Sequence, residues 1–132
     1  MVSQIRDLTD MERAVAGMAE QPNGGLLFPL DLTVRPLIDQ TIATVARYRL
    51  PAVYSERQFV VKGGLVYYGA DRIEIYRGAA SYVDRLLHGE KPGDLPYQLP
   101  TKFQLMINLK TAKALGLELP VHLLAIADEV IE

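Results

Sequence analysis

The chain has 132 residues and a formal net charge of −2, with 49% hydrophobic and 23% charged residues. This length and composition suit one globular domain and exclude both a disordered chain and a pair of ordinary domains. A net negative charge without a basic cluster argues against nucleic acid as a partner, and the lack of cysteine excludes disulfides and thiolate chemistry.

Hydropathy along the chain gives two expectations about location. No run of about 18 apolar residues occurs, so we expect no transmembrane helix. The first seven residues, MVSQIRD, lack the apolar segment of a secretory signal. As it stands, the chain is therefore expected to remain in the cytoplasm, unless a preceding segment is absent from it.

Apolar periodicity in the first half of the chain predicts helices that alternate with short strands. Thr9 and Glu12 have the spacing of a capping box at the start of the first helix. Pro36 falls in the first turn of the second helix, where proline is tolerated. The apolar run 25–28 is typical of a strand buried on both faces. The predicted elements are a helix over 9–21, a strand over 25–28, a helix over 34–49, a strand over 51–54, a short helix over 55–60 and a strand over 65–68.

A long predicted helix opens the second half of the chain. Asp71 with Glu74 forms another capping box, and apolar residues recur at helical spacing as far as Leu87. A turn-rich stretch follows from Gly89 to Pro100. The remaining predicted elements are a strand over 103–109, a helix over 110–115 and a helical segment over 122–131.

This order of elements predicts an α/β fold. Short apolar strands alternating with helices favour an open, mainly parallel sheet covered by helices on both faces, a three-layer α/β/α arrangement. Such sheets bind ligands beyond the carboxyl ends of their strands. The rule selects the segments 29–33, 55–56 and 68–71 as the candidate site.

Polar and aromatic residues in these segments are the candidate ligand contacts. Asp31 and Thr33 precede a helix, where they either hold polar groups of a ligand or cap the helix, and Asp71 carries the same two alternatives. Tyr67 and Tyr68 point to opposite faces of a strand, so one is expected to pack in the core and the other to line a cleft. The candidate ligand-binding residues are Asp31, Thr33, Ser55, Glu56, Tyr68 and Asp71.

The sequence offers no constellation for catalysis or metal binding. His88 and His122 lack the spacing of metal ligands. The glycine pairs precede strands, whereas a phosphate-binding loop follows one, and no G-x-S-x-G motif occurs. We therefore name no catalytic residue, metal or cofactor and expect that the protein is not an enzyme.

The second half of the chain carries a series of motifs whose order and spacing together are specific. They are Gly63-Gly64-Leu65 with Tyr68-Gly69, Gly89-Glu90-Lys91-Pro92 with Leu95-Pro96, Pro100-Thr101-Lys102-Phe103, the segment from Ile107 to Leu117, and the closing segment from Ala127 to Glu132. Together they resemble the ABC-transporter substrate-binding proteins of the periplasmic-binding-protein type I class. The loop 29–33 is similar to the corresponding family loop at Asp31 and Thr33, whereas Leu30 and Leu32 depart from it.

The resemblance implies two Rossmann-like, flavodoxin-like α/β lobes with a solute cleft between them. Residues 1–132 would form one such lobe, the carboxyl-terminal one, with returning segments from about residue 71 onward. The implied function is that of the solute-binding component of a periplasmic ABC importer, which passes a small organic solute such as an amino acid to a membrane permease. The alternative is a stand-alone cytoplasmic ligand-sensing or protein-interaction domain derived from this lobe.

The resemblance also implies a place for the helix 71–87. By this resemblance the returning helix would pack on a first lobe, which residues 1–132 are not expected to include. Its apolar residues are therefore expected to be exposed here, and exposed apolar patches tend to acquire partners. Either the helix folds back on its own sheet, or two chains pair through it or exchange it, which would give a homodimer through the helix 71–87.

Overall fold

The computed structural model describes residues 4–30 and 34–132 and confirms an α/β fold. A 3-10 turn at Arg35–Leu37 precedes the second helix, and another lies at Pro92–Asp94. In chain order the elements are α1 (Leu8–Ala19), β1 (Leu26–Phe28), α2 (Ile38–Arg47), β2 (Ala52–Tyr54), α3 (Arg57–Val61), β3 (Val66–Ala70), α4 (Arg72–Leu87), β4 (Phe103–Asn108), α5 (Leu109–Leu115), α6 (Val121–Ala125) and β5 (Glu129–Ile131).

The chain divides into two compact units. The first unit comprises Met1–Gly69 and Leu105–Glu132, and the second comprises Ala70–Gln104. In the second unit, the Tyr82 hydroxyl donates to the Pro96 carbonyl, which ties α4 to the extended segment after it. The organisation predicted above, one lobe with returning segments from about residue 71, stays a prediction. Among residues 4–30 and 34–132, no helix is both long and apolar enough to cross a membrane.

The five strands form one open sheet in the order β1-β2-β3-β4-β5. The pairs β1–β2, β2–β3 and β4–β5 are parallel. Between β3 and β4, Asn108 N–H donates to Leu65 O and Asp71 N–H donates to Lys102 O, each at 2.9 Å. The start of β3 therefore meets the end of β4, and these two strands run antiparallel. The prediction of a mainly parallel sheet is confirmed.

The core of the first unit lies against one face of this sheet. Alternate strand residues, namely Leu26, Phe28, Ala52, Tyr54 and Tyr67, pack there against apolar side chains of α1, α2 and α3. The buried helix residues in this cluster are Met11, Val15, Ile38, Val45, Phe59 and Val60. This alternation follows from the two-residue period of a strand, which directs successive side chains to opposite faces.

The other face of β1 is open. Leu27 is 73% exposed, so the prediction that this strand is buried on both faces is wrong. Right-handed connections between neighbouring parallel strands place the connecting helices on the same face of the sheet. Because β1, β2 and β3 are neighbours in chain order, α2 and α3 both lie on the side of Leu26 and Phe28.

Two local predictions are also corrected. The first helix begins at Leu8, capped by the Asp7 carboxylate, which accepts from Asp10 N at 2.8 Å, so Thr9 lies inside the helix. The segment predicted as helical over 122–131 instead contains α6 and the strand β5. Backbone pairing with β4 outweighs local helix propensity there, and Leu105 N–H donates to the Asp128 carboxylate at 2.8 Å just ahead of β5.

Candidate functional site

Three parallel strands end at one edge of the sheet, where the sequence places the candidate site. β1 ends at Phe28 and β2 at Tyr54, and Ser55 N–H donates to Phe28 O at 3.1 Å. A Cβ atom on Gly69, near the end of β3, would lie 3.0 Å from Ser55 O. Only glycine permits such a close backbone approach without a shift of its neighbours. The fold thus brings Ser55 next to the end of β3.

A half-buried ion pair lies at the same edge. The Glu56 side chain is buried directly after β2, and its Oε2 lies 3.4 Å from Nε of Arg35, which is about half exposed. Glu56 occupies the N-cap position of α3, but its carboxylate makes no capping hydrogen bond there. Taking a carboxylate out of water is costly unless a cation is close. Arg35 therefore offsets the burial of Glu56 and presents a guanidinium at the edge of the site.

The sequence reasoning did not select Arg35. Its only signal is its position two residues after the loop 29–33, because the partner that gives it a role, Glu56, lies 21 positions further along the chain. Asp31 and Thr33 lie outside the described residues, and their contact with a ligand stays a prediction.

The two adjacent tyrosines of β3 point to opposite faces of the sheet, as predicted. Tyr67 is buried in the core cluster, whereas Tyr68 is exposed. The core member of the pair is thereby identified as Tyr67. A role for Tyr68 as an apolar wall of a cleft stays a prediction.

Asp71 is the N-cap of α4, as predicted. The reciprocal hydrogen bond of a capping box is not formed, because the Asp71 N–H donates to Lys102 O and the Glu74 carboxylate pairs with Arg77. The Asp71 Oδ1 accepts from Ile73 N at 2.9 Å and from Glu74 N at 3.3 Å. Its Oδ2 accepts from Gln104 Nε2 at 3.3 Å and lies 3.4 Å from Lys102 Nζ. Both oxygens of this carboxylate therefore have partners within the protein.

The same contacts decide the ionisation of Asp71. Burial raises the pKa of its carboxyl, but hydrogen bonds from the Glu74 and Ile73 amides lower it. Lys102 lowers it further through a hydrogen bond and its positive charge, and the net pKa shift is downward. Asp71 is therefore a carboxylate at neutral pH. Its role in ligand binding, predicted from sequence, stays a prediction beside this capping role.

Three stacked aromatic rings lie beneath the ends of β1 and β2. Phe28, Tyr54 and Phe59 lie nearly parallel, with ring centroids 5.1 Å apart for Phe28–Tyr54 and 4.6 Å apart for Tyr54–Phe59. Two of the rings are the last residues of β1 and β2, and the third belongs to α3. Packing of this kind holds the two loops above it on a rigid base.

The second unit contains a groove of about 490 Å³ between α4 and the segment 98–102. The charged side chains of Asp71, Glu74 and Lys102 line this groove. Gly78 and Ala79 also line it, and their small size leaves its volume unfilled. Within the described part of the chain, no group of three or more histidine, cysteine or acidic side chains is placed to hold a metal ion.

A known protein family matches nearly the whole chain. The family described as ABC transporter substrate binding protein matches residues 1–131. None of the proteins with curated functions matches the chain.

Three solved structures share the fold. A conserved domain protein from Vibrio cholerae is 27% identical, with a TM-score of 0.80 over 94% of this chain and 42% of that one. An ABC domain from Streptococcus pneumonia, in complex with L-Trp, is 23% identical, with a TM-score of 0.81 over 96% and 43%. A ligand-free, open substrate-binding protein with adhesive properties from Clostridium difficile is 19% identical, with a TM-score of 0.67 over 96% and 42%. The chain thus spans less than half the length of each of these proteins.

Proposed function

Because the chain belongs to the ABC transporter substrate-binding protein family, we propose that it is the solute-binding part of an ABC importer, with an amino acid as its solute. It would bind the solute at the edge formed by the ends of β1, β2 and β3. It would then pass the solute to the importer's permease, with the periplasm as its place of action. The proposal depends on one observation above all: at that edge the half-exposed Arg35 forms an ion pair with the buried carboxylate of Glu56.

The chemistry of this edge suits a zwitterionic solute. A guanidinium has five N–H donors, so Arg35 can pair with Glu56 and still receive a carboxylate. Asp31 is proposed to accept from the solute ammonium group, with Thr33 and Ser55 as further polar partners. The exposed ring of Tyr68 would lie against the solute side chain. That the Streptococcus structure contains L-Trp supports an amino acid as the class of solute.

Binding by this chain alone is expected to be weak. Ligand sites usually bury about 70–90% of the ligand surface, and this chain spans only 42% of the Vibrio protein. We therefore expect a Kd of about 1 mM for the best amino acid.

A thermal-shift screen of the common L-amino acids tests the proposal. At about 10 mM, the best solute is expected to stabilise the fold by about 1.4 kcal/mol, which raises Tm by roughly 3–5 °C. Tyr68→Ala should remove most of this shift, whereas Tyr97→Ala, a matched change of another exposed tyrosine, should preserve it. A panel without any shift, or equal shifts in both variants, would count against a solute site at this edge.

We also propose that α4 pairs with a second copy of the chain. Apolar residues recur along α4 at alternating spacings of three and four, the pattern of a helix–helix seam. They are Ile73, Tyr76, Ala80, Val83 and Leu87. No residue of this helix is buried, and Tyr76 and Leu87 are 69% and 82% exposed. An exposed seam of this kind is stabilised by burial against a partner.

Light scattering across a concentration series measures this association. The expected result is a reversible dimer whose fraction grows with concentration. Tyr76→Glu combined with Val83→Glu should give a monomer, whereas Arg72→Glu with Asp84→Lys, which alters charge outside the seam, should not. A monomer at the highest concentration would contradict pairing through α4.

A further inference from the structure

The first unit contains a cavity of about 160 Å³ at the sheet edge opposite the candidate site. It lies between α2 and α5, above the starts of β2 and β3, because β4 runs antiparallel to β3 and delivers α5 to this edge. Small residues line much of it, namely Ala46, Ala52, Gly63, Gly64 and Ala114. Aliphatic side chains of Ile42, Val45, Leu50 and Leu115 complete an apolar wall.

Backbone geometry keeps this cavity open. Gly63 has φ +115°, a conformation that side-chain-bearing residues rarely adopt. A Cβ atom on Gly64 would lie only 2.7 Å from Tyr54 Cε2. Neither position can therefore carry a side chain that fills the space without strain, and the void is a consequence of the fold.

Among the described residues, Arg49 is the one cationic side chain that lines the cavity. Arg49 is exposed and has a left-handed backbone, with φ +54°. Its Nη2 donates to Ala114 O at 3.3 Å, near the end of α5. Within residues 4–30 and 34–132 Arg49 has no carboxylate partner, whereas Arg47 pairs with Glu12. One weak hydrogen bond leaves further guanidinium donors for a ligand.

We propose that this cavity binds a small apolar monocarboxylate of about the size of benzoate. A dry apolar cavity of ~150 Å³ is enough to hold a benzene ring, and the ligand carboxylate would pair with Arg49 in a charge-assisted contact. Arg49 supplies the one positive charge of the described lining, Tyr54 and Thr111 add hydroxyl-bearing side chains, and the Thr111 hydroxyl already donates to Gly63 O. A second charge on the ligand would therefore be desolvated without a partner, which excludes zwitterions and dicarboxylates. The solute-binding edge lies at the other ends of the same strands, and Tyr54 belongs both to this lining and to the aromatic stack beneath that edge.

Titration of ¹⁵N-labelled protein with sodium benzoate tests the proposal. We expect saturable shifts of the Gly63 and Gly64 amide resonances with a Kd on the order of 1 mM. Benzylamine, which has the same ring and the opposite charge, should give none. The absence of saturable benzoate shifts up to roughly 20 mM would overturn the proposal, as would equal binding of benzylamine.

Substitutions test the Arg49 cation and the apolar cavity separately. Arg49→Asn removes the charge while asparagine tolerates the left-handed backbone, and it should weaken benzoate binding by about 10-fold or more. Ala114→Phe, on an exposed wall position whose carbonyl is unchanged, should block the cavity and abolish the shifts. Lys110→Asn removes a cation from the same helix outside the lining and should leave binding unchanged. If Arg49→Asn fails to fold, Ala114→Phe still decides, since undiminished binding in it would place benzoate elsewhere.

Discussion

Replacing Phe59 with alanine is expected to lower the free energy of unfolding by about 3–5 kcal/mol. Phe59 is 4% exposed and its ring stacks on Tyr54 at 4.6 Å and on Phe28 at 6.5 Å. Truncation removes the apolar burial of the ring and leaves a cavity under the ends of β1 and β2. The neighbouring rings cannot close this cavity fully, because both belong to strands held by backbone hydrogen bonds.

Urea denaturation followed by circular dichroism measures this loss as a lower midpoint at an unchanged slope. Val61→Ala is the matched control, because Val61 lies on the same helix but is 54% exposed. Its effect should stay within about 0.5 kcal/mol. A Phe59→Ala variant that loses less than about 1 kcal/mol would show that the three-ring stack is not a rigid base.

Replacing Gly64 with alanine is expected to cost about 1–3 kcal/mol. The added methyl group would lie 2.7 Å from Tyr54 Cε2 and 2.9 Å from the backbone oxygen of Phe59. Real Cβ atoms do not approach other atoms so closely, so Tyr54 or the backbone after α3 must move. Because Tyr54 is the central ring of the stack, its displacement disturbs packing on both sides.

Gly78→Ala is the control, and it is expected to change the free energy of unfolding in the opposite direction. Gly78 lies within α4, and nothing stands within 4 Å of a Cβ atom built there. Alanine is the better helix former by roughly 0.5–1 kcal/mol, so this variant should be more stable. Both substitutions reduce the entropy of the unfolded chain equally, and the difference between their urea midpoints therefore isolates the steric clash. Equal effects in the two variants would contradict the close approach at Gly64.

Short-range signals predicted parts of this structure well. The helix after Asp71 begins and ends as expected, because capping and apolar periodicity depend on residues three or four positions apart. Tyr67 and Tyr68 divide between core and surface because a strand alternates its faces. The end of the chain was predicted wrongly as helix, since Glu129–Ile131 forms a strand only by pairing with β4, more than 20 residues earlier.

The α/β class and most of the helices and strands follow from local patterns, and the order of the motifs is enough for the resemblance to substrate-binding proteins. Which side chains contact each other depends on how the elements pack. The Arg35–Glu56 pair, the exposed face of β1, the direction of β4 and the cavity beside Arg49 all depend on contacts between segments distant in the chain. Local patterns carry no information about such contacts, because strand order and direction follow from how whole elements pack. Local patterns predict where the strands end and therefore locate the candidate edge. They do not predict that Arg35 lies there, because its partner Glu56 is distant in the chain.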